Sequence, residues 1–204
     1  MKNFWDFCAP FYDMAEKRNA KAYGAMIKTV RDATPDQSSV LEIAAGTGSI
    51  TLGLADKVRT VLCTDISEKM LLVARKKAAK RNFNNVSFDN VNIFEIPKPD
   101  NTFDVVIASQ VLHLIDEPKK AASEMRRVSK NMVIMPMSFT ENLKGRAKMM
   151  ISVYRLAGFN PKREFNSSGY AAFLSSIGFE NCRIIPIDGV IPMAVAVWEK
   201  AHLS

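Results

Sequence analysis

The stretch Val40-Leu41-Glu42-Ile43-Ala44-Ala45-Gly46-Thr47-Gly48-Ser49-Ile50 decides how this chain is read. Residues 40–43 are apolar apart from Glu42, the pattern of a short buried strand. Gly46 and Gly48 end it, and a helical spacing begins near Ser49 and runs through Leu52, Leu54 and Ala55. A strand, a glycine turn and a helix together make a ligand cradle. Glycine permits a tight turn and lets a ligand lie on the backbone, while the helix behind it offers unpaired N–H groups. A dinucleotide fingerprint, G-x-G-x-x-G, needs a third glycine, and Thr51 stands in its place. An ordinary glycine turn of an α/β protein remains the plain alternative.

Outward from that turn, strands and helices alternate. Residues 1–24 carry Phe4, Trp5, Phe7, Phe11, Tyr12 and Tyr23 and read as one or two helical pieces, with Pro10 interrupting the first. An amphipathic helix over 20–33 ends at Thr34-Pro35-Asp36. A second strand spans 58–65, and Ser67 caps a helix that runs to about Arg81. A third strand covers 86–91 and a fourth 103–109, where Val105-Val106-Ile107 is continuous as in a strand buried on both faces. A helix over 117–129 has Pro118 in its first turn, and a fifth strand spans 131–137. Two helices follow, over 144–157 and 168–177. The apolar runs 179–187 and 190–198 flank Asp188-Gly189, a hairpin signal. The parallel sheet is therefore expected to close with an antiparallel pair.

The pattern E-x-A-x-G-x-G from Glu42 to Gly48 resembles the first motif of class I S-adenosylmethionine-dependent methyltransferases, with Ala44 in place of the first glycine. The likeness extends over roughly residues 38–138. It takes in Asp65 after the second strand, Asn92 after the third, and Phe103-Asp104-Val105-Val106 leading to Ser109-Gln110-Val111-Leu112-His113. Phe11-Tyr12-Asp13, ahead of the core, resembles the aromatic step of a segment that folds over the cofactor in many such enzymes; simple docking of an aromatic helix onto the core is the plain alternative. The closest likeness is to the small-molecule branch typified by the ubiquinone/menaquinone C-methyltransferases. It implies a Rossmann-like α/β fold with a seven-stranded, mostly parallel sheet in the order 3-2-1-4-5-7-6 and an antiparallel last strand.

The same resemblance implies S-adenosylmethionine as cofactor and S-adenosylhomocysteine as product. Ala44, Ala45, Gly46, Thr47 and Gly48 would lie against the methionine end, and Glu42 would help hold its amino group, often through water. Asp65 would accept both ribose hydroxyls; its plain alternative is a helix cap. Ile66 and Met70 would pack on the adenine. Asn92 would accept from the adenine amine while the Ile93 N–H donates to a ring nitrogen, although a loop asparagine is a fair alternative. Ser109 and Gln110 would border the methionine moiety and the reactive methyl, with Tyr12 in the covering segment.

Composition sets the bounds. The chain has 204 residues, 48% of them hydrophobic and 24% charged, as expected of one globular domain. Residues 1–204 are read as a single methyltransferase domain, with 1–24 as a helical lid and about 139–170 as a substrate-side helical insertion. No signal segment or membrane-length apolar run is present in the sequence. Cys8, Cys63 and Cys182 have no metal-ligand spacing and read as free thiols, so a cytoplasmic protein without a metal is expected. The net charge of +7 reflects basic clusters at 75–81 and 144–163, read first as solvated helix faces and alternatively as a site for an acidic partner. Those clusters lack interleaved aromatics, so nucleic acid is not the expected partner.

The acceptor is less constrained. Ser109-Gln110-Val111-Leu112 is not the N/D-P-P-Y/F step of exocyclic-amine methylation, and no cysteine follows the fourth or fifth strand. A small or lipid-like molecule is left, in a pocket for which Tyr154, Phe159, Phe165, Tyr170, Phe173, Met149 and Met150 are candidates; core packing is the alternative for them. His113 is the candidate general base, against a plain loop residue. A non-catalytic cofactor-binding regulatory or scaffold protein is the second functional reading, and a nicotinamide oxidoreductase a third, disfavoured by the missing glycine and the terminal hairpin.

Overall fold

Val40, Leu41 and Ile43 are buried, and they build the central strand β1 (Ser39–Ile43). The computed structural model describes residues 2–141, 143–156 and 158–201. Around β1 lie β2 (Thr60–Thr64), β3 (Val86–Asp89), β4 (Phe103–Ala108), β5 (Ser129–Ser138), β6 (Arg183–Ile187) and β7 (Met193–Glu199). They form one seven-stranded sheet in the order β3-β2-β1-β4-β5-β7-β6. Pairings among β1 to β5 are parallel, and β7 runs antiparallel to both β5 and β6. The order expected from the sequence is the order observed.

Alternation along β1 and β4 explains why both faces are covered. Leu41, Ile43 and Val106 belong to one apolar cluster, Val40, Val105 and Ile107 to the other. Successive strand residues point to opposite faces, so a strand apolar throughout needs helices on both sides. On the first face Met125 of α6 (Pro118–Val128) and Tyr170 and Leu174 of α8 (Ser167–Ser176) fill the layer. On the second, Met26 and Val30 of α3 (Ala20–Ala33) pack with Ile50 and Leu54 of α4 (Ser49–Leu54). α5 (Glu68–Lys80) covers the β2 side through Leu71 and Ala74. The N-terminal segment is α1 (Lys2–Cys8), a 3-10 turn (Ala9–Phe11) at Pro10, and α2 (Tyr12–Lys17). α7 (Gly145–Leu156) lies between β5 and α8 in sequence.

The terminal hairpin departs from expectation in detail. Residues 188–192 separate its strands, so Asp188-Gly189 is part of a longer loop and not a two-residue turn. The loop is set by α3 and its approach. Asn19 Nδ2 donates to the Ile191 carbonyl at 3.0 Å, and a Cβ on Gly189 would fall 2.6 Å from that of Ala22. β6 also starts later than read, at Arg183, because Phe179 is a core plug, edge-on to Trp198 at 5.5 Å with the Arg126 guanidinium over its ring.

Candidate active site

The glycine turn emerges at the carboxyl end of β1, where open α/β sheets bind ligands. Ala44, Gly46 and Gly48 all have positive φ, at 53°, 55° and 76°. Gly48 is also pressed on α5, since an added Cβ would lie 3.0 Å from that of Ala74. Ala44 adopts the left-handed conformation at a cost of about 1–2 kcal/mol.

Asp65, just beyond β2, braces this turn. Its Oδ2 accepts the Gly46 N–H and its Oδ1 the Ser67 N–H, each at 2.8 Å. Ser67 Oγ in turn caps α5 by accepting from Met70 N at 3.2 Å. The Ile66 N–H also acts on this carboxylate, which still has acceptor capacity left for a ligand. Burial pushes its pKa up, against the pull of those backbone donors.

Three cavities meet at this edge of the sheet. The first, about 180 Å³, is lined by Ala44, Gly46, Asp65, Ile66, Met70, Asn92, Ile93, Ser109 and Gln110, and also by Trp5 and Tyr12. A second, about 290 Å³, is walled by Phe4, Trp5, Phe159 and Ile151 and includes His113 and Gln110. A third, about 30 Å³ and so of water size, lies between Glu42, Ala45, Ser109 and Tyr12. Tyr12 and Gln110 line all three.

Thr47 and Gly48 line none of them. The Thr47 hydroxyl is taken by Asp13 at 2.5 Å, with Lys77 Nζ bonded to both, and Gly48 faces α5. The Asn92 carboxamide oxygen accepts from Phe94 N at 3.1 Å, so one lone pair is already spent on its own loop. Of the aromatics expected around an acceptor, Phe159 reaches the second cavity. Phe165, Tyr170 and Phe173 pack in the main core, where Tyr170 donates to the Met135 carbonyl at 2.9 Å. Met149 is exposed, and the side chains of Met150 and Tyr154 lie outside the described residues.

Charge in the site is unusual. Glu42 is 1% exposed and accepts from Thr51 N at 2.8 Å and from the Thr51 hydroxyl. Burial raises its pKa to about 7, with Glu16 and Asp65 adding to the rise. His113 is held neutral, burial lowering its pKa to about 4. Two buried side-chain atoms among the described residues have no hydrogen-bond partner, Gln110 Nε2 and His113 Nδ1. Both residues line the second cavity. Gln110 Oε1 accepts the Ser138 N–H at 2.9 Å, which fixes the amide and leaves its buried NH₂ without a partner.

A model described as methyltransferase domain matches residues 35–157, which run from the end of α3 through the glycine turn, Asp65 and Gln110 to α7. The chain belongs to the methyltransferase-domain family. Among curated relatives of this methyltransferase domain, the ubiquinone/menaquinone biosynthesis C-methyltransferase of Rickettsia bellii is 35% identical over 102 residues, covering 47% of this chain and 41% of the relative. The demethylmenaquinone methyltransferase of Renibacterium salmoninarum is 34% identical over 130 residues, 62% of this chain and 52% of its own. The chain thus spans about half the length of these relatives or less. Similar solved structures include an S-adenosylmethionine-dependent methyltransferase from Thermotoga maritima (TM-score 0.75, 19% identity, 98% of this chain and 100% of that one). Another, from Aquifex aeolicus, has TM-score 0.64 and 21% identity over 87% and 98%. These two show a shared fold.

The matched span omits the N-terminal segment, where the sequence reading named Tyr12 but missed Trp5, Asp6 and Glu16. Trp5 lines both large cavities, and Glu16 both the second and third. Asp6, Asp13 and Glu16 accept from Ser67, Thr47 and Ser49 at 2.5, 2.5 and 2.7 Å, fastening the segment to the first turns behind β1 and β2. The signal available was an acid directly after an aromatic, Asp6 after Trp5 and Asp13 after Tyr12.

Proposed function

We propose that this chain transfers the methyl group of S-adenosylmethionine to a small, largely apolar acceptor bearing a hydroxyl or enol oxygen. The observation that carries the reading is the junction at Gln110. There a cradle holding Asp65 and the glycine turn opens beside an aromatic cavity lined by Gln110 and His113, the two residues that carry buried, unpartnered polar atoms.

The residues fit the cofactor. Asp65 retains lone pairs for the ribose, Ile66 and Met70 offer apolar walls for adenine, and Glu42 beside a water-sized space suits an ammonium group reached through water. Ala44, Ala45 and Gly46 would lie under the methionine end with Ser109 and Tyr12 around it, and the Asn92–Ile93 loop would meet the adenine. When bound, S-adenosylmethionine supplies a methyl group already activated on a sulfonium and leaves as S-adenosylhomocysteine. The protein's part is to hold the acceptor in line and exclude water. Gln110 Nε2 donates to the acceptor oxygen. His113, neutral at its site, takes the hydroxyl proton at Nδ1 as the oxygen, or a carbon conjugated with it, gains the methyl. Residues 2–24 form the lid over both cavities, supported by the carboxylate–hydroxyl bonds of Asp6, Asp13 and Glu16, and 139–170 the acceptor-side wall, through Thr140, Ile151 and Phe159.

Among the described residues no helix is long and apolar enough to cross a membrane. Three free cysteines suit the reducing cytoplasm. Cavities of about 180 and 290 Å³ favour a small acceptor over nucleic acid. Titration calorimetry with S-adenosylmethionine, S-adenosylhomocysteine and NAD tests the cofactor: the first two bind, and binding of NAD alone would overturn the reading. A hundredfold excess over Kd stabilises the fold by about 2.7 kcal/mol, which a melt also reads.

A further inference from the structure

The two stretches around the second cavity are sorted by chemistry. In residues 2–24 every acid is turned inward, Asp6, Asp13 and Glu16 being bonded to Ser67, Thr47 and Ser49. The bases Lys17, Arg18 and Lys21 are exposed, and no ion pair involves them among the described residues. Beside them Phe7, Phe11 and Met14 are 69%, 60% and 57% exposed. They fall in succession on α1, the 3-10 turn and α2. Phe7 and Phe11 also line the second cavity, so this apolar stripe forms part of its mouth.

The second stretch adds exposed apolar side chains, although two of its cations are paired, Arg155 with Glu164 and Lys162 with Asp116. Residues 142–163 contain no acid. On α7, Lys148 and Met149 recur seven residues on as Arg155 and Leu156, which returns them to the same side of the helix. Met149 is 65% and Leu156 90% exposed, while Ile151 of the same helix lines the cavity. α7 ends against α1, where a Cβ on Gly158 would lie 3.2 Å from the Phe4 ring.

Exposed aromatic and aliphatic side chains beside the unpaired cations Lys17, Arg18 and Lys21 fit one kind of partner. A second copy is disfavoured, because a two-fold pairing of this face sets its cations against themselves. We propose that the face docks on an anionic lipid surface, with Phe7, Phe11, Met14 and Leu156 entering the headgroup layer and the mouth of the second cavity opening onto the bilayer. Cations at the headgroups and apolar side chains below them are how a surface-bound amphipathic segment holds on. The corollary that the methyl acceptor is a bilayer lipid rests on the function proposed above; the docking does not.

Co-sedimentation of the full chain with vesicles tests it, using phosphatidylcholine alone or with about a third phosphatidylglycerol. Binding is expected on the anionic vesicles only, weakening with salt. Lys17→Gln/Arg18→Gln/Lys21→Gln should lower partitioning about a hundredfold, at about a factor of five per cation. Phe7→Ser/Phe11→Ser should lower it at least tenfold, by analogy with the loss of buried aromatic area. Lys76→Gln/Lys80→Gln, on the exposed side of α5, should change it less than threefold, though it removes similar charge. Calorimetry with S-adenosylmethionine on each variant checks that it is folded. Absence of vesicle binding, equal binding to neutral vesicles, or equal loss with the α5 variant would overturn the proposal. So would self-association in sedimentation that Phe11→Ser abolishes. Vesicle binding without cofactor binding would sink the methyl-transfer reading and leave the docking surface standing.

Discussion

Asp65 accepts the backbone N–H of Gly46 at 2.8 Å, so the carboxylate after β2 holds the turn after β1. Helix capping and ligand binding are therefore not competing roles for this residue. Asp65→Ala should weaken S-adenosylmethionine binding by roughly ten- to a hundredfold, each hydrogen bond to a charged group contributing about 1.5–3 kcal/mol. It should also cost about 1–3 kcal/mol of stability, because two buried N–H groups lose their acceptor. Asp65→Asn keeps an acceptor and should lose less of both. Calorimetry beside a denaturant melt reads the two effects; an unchanged Kd with a lowered melt would reduce Asp65 to a brace.

Ala44 offers a change in the other direction. Its φ of 53° is strained for alanine and free for glycine. Ala44→Gly gives back about 1–2 kcal/mol of strain and loses about 0.5–1 to chain entropy, so a net gain of roughly 0.5–1 kcal/mol is expected. A denaturant melt showing destabilisation by more than about 1 kcal/mol would mean that the methyl group of Ala44 packs usefully.

Glu42 makes cofactor binding depend on pH. Its pKa of about 7 in the folded protein lies above the ordinary 4.5, so the cofactor-free protein holds a proton that the unfolded chain releases. That contribution to stability is complete below about pH 4.5 and falls away as pH rises through about 7. His113 acts oppositely, its stabilising neutral form being lost as pH falls from 6.5 towards about 4. An ammonium group near Glu42 favours the carboxylate, so binding should release a proton and tighten as pH rises from about 5 to 8. Calorimetry in buffers of different ionisation enthalpy measures the release. Glu42→Gln should abolish it, and an identical proton count in that variant would assign the release elsewhere.

His113 tests the chemical step. His113→Asn should lower kcat by about a hundredfold or more while leaving the S-adenosylmethionine Kd within twofold, since it lines only the acceptor cavity. An unchanged kcat would show that in-line placement suffices without a base.

What could be read from the sequence, and what could not, follows from the range of the forces involved. The Gly46–Gly48 turn, the buried run at Val105–Ile107 and the closing antiparallel pair rest on local pattern, and the sheet order came with the family resemblance they support. Asp65, Gln110 and Tyr12 fell at the carboxyl edge because strand ends place them there. The hairpin loop was misread because α3, more than 160 residues earlier, dictates its path through Asn19 and Ile191. Thr47 left the cavity for the same kind of reason, drawn by Asp13 on a segment distant in sequence. The tail aromatics divided between core and cavity according to which helix face meets the sheet, and composition does not encode that.

Methyl transfer itself is the most direct test of the account. The full chain, incubated with methyl-labelled S-adenosylmethionine and a total lipid and metabolite extract, should move label into an apolar acceptor and form S-adenosylhomocysteine in equal amount. The double variant Gln110→Leu/His113→Asn should bind cofactor and transfer at most about a hundredth as fast. A protein that binds S-adenosylmethionine tightly and transfers no label to any acceptor in the extract would contradict the account and mark the chain as a cofactor-binding protein without turnover.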